Sequence, residues 1–133
     1  MYSYRFASLE LLLKQPCQEI EFGLINSYVH LGLQRAQAMS EAIETKRAHL
    51  RIVDTLIHVM CDNLISVSRR GYCFRMIQRL KPILFEMLDT NQYQKKVNQI
   101  ESLHRYFLPE NVKNERSSAN KSQNIPINFQ QRK

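Results

Sequence analysis

The sequence predicts an all-helical protein, and three observations support that prediction. Apolar residues recur at intervals of three and four over most of the chain, which is the spacing of one face of a helix. The 133 residues include only 3 glycines and 4 prolines, too few for a β-sandwich or barrel that turns roughly every ten residues. The length fits one domain. We therefore expect an elongated helical bundle or hairpin.

The first predicted helix runs from about residue 3 or 8 to Gln15. Its apolar face is formed at helical spacing by Phe6, Leu9, Leu12 and Leu13. Pro16 ends this helix and is also suited to the first position of a following one, where its missing N–H costs nothing. A second helix is expected to begin near residue 16.

This second predicted helix, about residues 16–70, is the long central element. Its apolar positions alternate in steps of three and four, a repeat that keeps one edge of a helix against a neighbour, as in a coiled coil. We call this edge the seam; twelve of its fourteen positions are apolar side chains, at Phe22, Ile25, Val29, Ala36, Met39, Ile43, Leu50, Val53, Ile57, Met60, Leu64 and Val67. The exceptions are Gly32, which permits close approach of another backbone, and Lys46, beside a candidate break at Thr45. Arg69, Arg70 and Gly71 are typical of a helix end.

Two or three shorter helices are expected to fold back along this long helix. Residues 72–88 carry a further apolar stripe, in which Pro82 is expected to kink or divide the helix. Asp89 begins a turn that also offers a cap for a last helix, about residues 92–108. The predicted domain is therefore 1–108. Residues 109–133 are polar and poor in apolar side chains, which predicts a disordered basic tail.

The formal net charge of +7 and the isoelectric point near 9.5 favour acidic or polyanionic partners. The basicity lies in the second half of the chain, where no acidic residue occurs between Asp62 and Glu86. Five cations in this stretch are candidates for contact with an acidic protein surface or nucleic acid: Arg69, Arg70, Arg75, Arg79 and Lys81. The simpler interpretation is a helix end followed by a solvated face. Residues 66–77 also resemble the turn and recognition helix of a helix-turn-helix, although Arg75 falls where that motif buries an apolar residue.

The sequence predicts no catalytic, cofactor or metal site. Asp54, His58 and Cys61 share one helical face and offer two metal ligands, but no CxxC or HExxH motif accompanies them, and an interhelical polar contact is the simpler interpretation. No glycine lies in a phosphate-binding motif. Three cysteines without disulfide spacing favour reduced thiols, hence a cytoplasmic location. Charged residues interrupt every apolar stretch, so no membrane span is expected, and the start of the chain does not resemble a signal peptide.

From these features we expect a non-enzymatic interaction protein: an adaptor, a regulator or a secretion-type chaperone. It would bind a protein partner or a second copy of itself through the seam, chiefly through Ile43, Leu50, Val53, Ile57 and Leu64. The basic residues 69–81 would orient an acidic partner. The alternative is a nucleic-acid-binding transcriptional regulator that uses the same basic residues. No small-molecule substrate is predicted.

Overall fold

A computed structural model describes residues 2–16 and 18–108, with side chains from Tyr4 onward. The described residues form five helices and no strand: α1 (Tyr2–Leu13), α2 (Phe22–Gln37), α3 (Ala42–Met60), α4 (Val67–Met87) and α5 (Thr90–Phe107). The prediction of an all-helical bundle is confirmed. The predicted tail, 109–133, lies outside the described residues.

The single helix expected over residues 16–70 is absent, and that prediction is wrong. Its range is divided among α2, α3 and the start of α4, with connectors at residues 38–41 and 61–66. In the second connector Asp62 Oδ1 accepts a hydrogen bond from the Leu64 N–H at 2.9 Å, which closes a turn. The Ser66 hydroxyl then accepts the Arg69 N–H at 3.2 Å and caps α4. Gly71, expected just beyond a helix end, lies inside α4.

Helix α3 lies at the centre of the bundle, packed between α2 and α4, while α1 packs mainly on α2. Its fully buried residues include Ile52, Leu56 and Val59. A Cβ atom on Gly32 of α2 would lie 2.6 Å from Ile52 Cδ1 and 2.9 Å from Phe6 Cε1. Three helices therefore meet closely at Gly32, although the atoms nearest to it belong to side chains of α1 and α3 and not to another backbone.

The last two helices, α4 and α5, lie closer to their predicted positions in the sequence than α2 and α3 do. Helix α4 is continuous through Pro82, so the expected division does not occur. Asp89 caps α5, as predicted: its side chain accepts the Gln92 N–H at 2.7 Å, and the Gln92 side chain accepts the Asp89 N–H at 3.4 Å. This reciprocal pair is a capping box, and it separates α4 from α5 within a very short connector.

Candidate functional site

The seam does not form a continuous outer edge, because the chain folds it onto itself. Val53 and Ile57 are buried in the core of the molecule, as are seam residues of α2 such as Ile25. Leu50 is half-buried. Ile43 and Leu64 are 53% and 78% exposed, but they lie near opposite ends of α3. We expected all five selected seam residues to face a partner. For Val53 and Ile57 this expectation is corrected, because both side chains are buried inside the molecule.

Arg69 and Arg70 are buried, with relative exposures of 4% and 5%. Arg69 Nη1 donates to the carbonyls of Leu13 at 3.1 Å and Gln15 at 2.8 Å, and Nη2 donates to the Gln18 carbonyl. Arg70 donates to three acceptors in the core: the Met60 carbonyl at 2.9 Å, Asn63 Oδ1 at 3.1 Å and the Phe107 carbonyl. Both guanidinium groups hold the fold together, so their predicted role as partner contacts is corrected.

The other three members of the basic stretch lie nearer the surface. Lys81 Nζ is 2.9 Å from Glu101 Oε2 on α5, in an ion pair within the molecule. Arg75 and Arg79 are exposed, and the Arg75 guanidinium lies 5.5 Å from the centre of the Tyr72 ring. Of the five cations singled out from the sequence, Arg75 and Arg79 are therefore placed to meet a partner without breaking an internal hydrogen bond or ion pair.

A different surface brings polar, charged and apolar groups together. A groove of about 500 Å³ runs along the outward face of α3 and beside α1. From α3 it is lined at helical spacing by Arg47, Leu50, Arg51, Asp54, Thr55 and His58, and on the α1 side by Glu10 and by Lys14, which directly follows that helix. We call it the α3 groove.

Glu10 anchors the α1 side of this groove. Its carboxylate accepts hydrogen bonds from Arg51 Nε at 2.9 Å and Nη2 at 2.8 Å, from the Tyr28 hydroxyl at 2.8 Å and from Thr55 Oγ1 at 3.0 Å. Burial opposes ionisation of Glu10, but these hydrogen bonds outweigh it and lower the pKa to about 2 from the usual 4.5. Glu10 is therefore a fixed, fully engaged anion at neutral pH.

The second carboxylate of the groove is also neutralised inside the molecule. Asp54 Oδ1 lies 2.6 Å from Lys96 Nζ, so this pair joins α3 to α5. By contrast, the side chains of Lys14, Arg47 and His58 make no hydrogen bond or ion pair with any residue that the structure describes. The α3 groove therefore presents uncompensated positive charge.

Apolar side chains flank the same groove. Leu50 is half-buried in its lining. On α1, Leu11 is 64% exposed and lies one turn from Lys14.

The described part of the chain contains neither a cluster of metal ligands nor a thiol with a lowered pKa. Among those residues, no group of three or more His, Cys, Asp and Glu side chains is arranged to hold a metal ion. Burial raises the pKa of the Cys73 thiol to about 12 and also raises that of Cys61, so both thiols are protonated and weakly nucleophilic at neutral pH. Cys17 lies outside the described residues.

Sequence reasoning missed the α3 groove because it followed the apolar positions of residues 42–60 and not the polar ones. The available signal was a polar stripe at steps of four, three and four, formed by Arg47, Arg51, Asp54 and His58. Nothing in the sequence placed Glu10 and Lys14 beside that stripe, since the contact joins residues 41 positions apart.

The chain matches no family model, no curated protein and no solved structure. None of the helices within residues 2–16 and 18–108 combines the length and apolarity that crossing a bilayer requires.

Proposed function

We propose that this protein is a non-enzymatic, cytoplasmic helical interaction protein, acting as an adaptor, regulator or chaperone, and that it binds a protein partner in the α3 groove. One observation carries the proposal: no described residue supplies a counter-charge to Lys14 or Arg47, whereas both carboxylates beside them are paired. Charges that steer a partner surround partly buried apolar surface in many protein interfaces.

The groups of the groove divide into two roles under this proposal. Leu50 and the exposed Leu11 would lose contact with water on binding, which supplies association free energy. Lys14 and Arg47 would set the orientation of the partner through ion pairs. The Glu10 network and the Asp54 ion pair would keep α1, α3 and α5 in place, so that the groove exists before the partner arrives.

The proposal gives no reaction to the α3 groove. Glu10, with its pKa at about 2, has no proton to exchange near neutral pH, and Asp54 is engaged by Lys96. Cys61 and Cys73, with their raised pKa values, supply no thiolate. A binding role fits these groups better than acid–base or nucleophilic catalysis.

A crosslinking experiment tests the proposed function in the cells that naturally make the protein. A photoreactive phenylalanine analogue at position 58, which lines the groove without being one of the proposed contacts, probes the groove, and the same analogue at position 79 probes the exposed face of α4. We expect a discrete protein adduct from position 58 and none of that size from position 79. The crosslinked partner is then recovered with tagged wild-type protein, with Arg47→Glu and with Arg79→Glu.

These two substitutions make the same charge change on two exposed arginines, so they form a matched pair. Arg47→Glu is expected to reduce recovery of the partner at least about tenfold, whereas Arg79→Glu should leave it unchanged. Circular dichroism checks that both variants remain folded. The proposed function is overturned if only Arg79→Glu loses the partner, or if nuclease treatment releases it, which would indicate nucleic-acid binding through the α4 face.

A further inference from the structure

We infer that the α3 groove takes one amphipathic helix of the partner, whose carboxylates pair with Lys14 and Arg47 and whose apolar side chains cover Leu50. This inference rests on the proposed function and adds the chemistry of the occupant. Three features of the groove lead to it: its shape, the positions of its free cations and its apolar edges.

The shape of the groove suits an elongated occupant. Its lining on α3 extends from Arg47 to His58, which spans about 17 Å, or three turns, along the helix axis. Helix α1 borders one side, and α5 is joined to α3 on the other by the Asp54–Lys96 pair. The groove is open to solvent along its length. A small molecule would leave much of its surface in water there, whereas a helix lying between two helices buries a continuous stripe.

The free cations define where carboxylates are needed. Glu10 lies level with Arg51 and Thr55. The adjacent Arg69 and Arg70 bind the carbonyls of Leu13 and Met60, so α1 and α3 end side by side. Lys14, directly after α1, therefore lies toward His58. Arg47 lies one turn before Arg51. Lys14 and Arg47 are therefore about two to three turns apart along the groove, separated by internally neutralised pairs. A partner helix would meet them with acidic residues seven to eleven positions apart.

The apolar groups determine what lies between those carboxylates. Leu50 is three residues beyond Arg47 in the lining of the groove, and the exposed Leu11 follows the groove residue Glu10 on α1. Phosphates would satisfy the cations but leave these side chains in water. A helix that carries carboxylates and leucine-like residues at helical spacing satisfies both the cations and the apolar side chains. This favours an acidic amphipathic helix over a nucleic-acid strand.

The test uses two fluorescent helical peptides of 21 residues with identical leucine positions. One peptide carries glutamates on its polar edge and the other carries lysines. Fluorescence anisotropy with the full chain measures both affinities at low and moderate salt. We expect the glutamate peptide to bind at least about tenfold more tightly at low salt, with the preference shrinking as salt screens the ion pairs.

The net charge of +7 would attract any acidic peptide, so a matched pair of variants separates the groove from general attraction. The double variant Lys14→Glu, Arg47→Glu should reverse the preference between the peptides. The double variant Arg75→Glu, Arg79→Glu makes the same change in net charge on α4 and should keep the preference. A third peptide, with glutamates retained and leucines replaced by glutamine, should bind at least about tenfold more weakly.

Equal binding of the two charged peptides overturns the inference, as does failure of all three to bind. So does equal loss of preference in both double variants, which would reduce the effect to net charge. A 20-nucleotide single strand is the last probe. If it binds the wild type and only the groove variant fails to bind it, the groove is a site for phosphates and the inference is overturned. The crosslinking at position 58 is read independently: if it still captures a partner while the peptides fail, only the acidic helix is wrong.

Discussion

Arg69 and Arg70 are adjacent in the first turn of α4, and their side chains together bind the carboxyl ends of three other helices. Arg69 donates to the carbonyl of Leu13, the last residue of α1. Arg70 donates to the carbonyls of Met60 and Phe107, the last residues of α3 and α5. We call this arrangement the arginine node.

The chemistry of the arginine node follows from helix ends. The last carbonyls of a helix have no partner within it and lie at the negative end of the helix dipole. A guanidinium group carries five N–H donors in a fixed plane, so one side chain can serve carbonyls from more than one helix. The carbonyl partners also supply the hydrogen bonds that a buried cation needs.

Replacing Arg70 should therefore destabilise the whole bundle. Arg70→Met keeps much of the volume but leaves the Met60 and Phe107 carbonyls without a donor, and we expect a loss of about 2–4 kcal/mol in the free energy of unfolding. Arg70→Lys should recover only part of this loss, because one ammonium lacks the planar array of donors. Urea unfolding measures both. The matched control, Arg79→Met on the exposed face of α4, should change stability by less than about 0.5 kcal/mol; a comparable loss in that control would contradict the assignment.

Gly32→Ala should destabilise the protein despite its higher helix propensity. The added methyl group would meet Ile52 Cδ1 at 2.6 Å and Phe6 Cε1 at 2.9 Å, so the side chains around it must move. Overpacking of this kind costs about 1–3 kcal/mol, against a gain of at most about 1 kcal/mol in propensity.

The control for this substitution is Gly23→Ala, also in α2, where an added Cβ has no atom within 4 Å. It should leave stability unchanged or increase it by up to about 1 kcal/mol. Thermal and urea unfolding of the two variants give the comparison. If Gly32→Ala proves as stable as Gly23→Ala, the close packing of α1, α2 and α3 at this point is wrong.

Glu10→Gln should remove part of the acid sensitivity of the fold. Because the pKa of Glu10 is lowered to about 2 in the folded protein, its contribution is complete above the unfolded value of about 4.5 and is lost as the pH falls toward 2. With allowance for solvent screening, we expect the wild type to lose about 1–2 kcal/mol more than Glu10→Gln between pH 5 and pH 2.5. Urea unfolding at several pH values measures this difference. Glu44→Gln, at an exposed position without a salt bridge among the described residues, should keep the wild-type pH dependence.

The thiols of Cys73 and Cys61 should differ in reactivity. Cys73 is fully buried with its pKa raised to about 12, whereas Cys61 is partly exposed. In a Cys17→Ser background, a thiol reagent at pH 8 should modify Cys73 about a hundredfold more slowly in the folded protein than in urea, because reaction needs an opening of the core. Cys61 should react at an intermediate rate. Equal rates for Cys73 with and without urea would show that its site is open.

The sequence predicted the fold class and several local features correctly because those depend on neighbouring residues. Apolar spacing indicated the helices, Asp89 indicated the cap of α5, and Gly32 indicated a point of close packing. The break between α3 and α4 also had local signals, in Asp62 and Ser66. The seam nevertheless continues in phase across the connector, so the apolar period alone predicts one uninterrupted helix there.

The break between α2 and α3 had a weaker signal. Glu41 precedes α3 without a side-chain cap, and residues 38–41 contain no glycine or proline. Apolar residues on both sides keep the same period, since both helices face one core. Periodicity therefore identified the buried positions without showing where the chain reverses direction.

The arginine node and the α3 groove lay beyond sequence reasoning for a common physical reason. Composition shows that Arg69 and Arg70 are cations but not that three carbonyl ends surround them. Likewise, Arg51 and Glu10 become partners only through the packing of α1 against the bundle. Both features depend on contacts between residues far apart in the chain.

The arginine node also bears on the order of assembly during synthesis. Its acceptors come from residue 13, near the start of the described chain, and from residue 107, at its end. On a ribosome, Arg69 can engage α1 as soon as α4 emerges, while Arg70 must wait for the last turn of α5. The Arg70 part of the node therefore forms only after α5 has been synthesised, and until then the surface of α3 that α5 covers stays exposed.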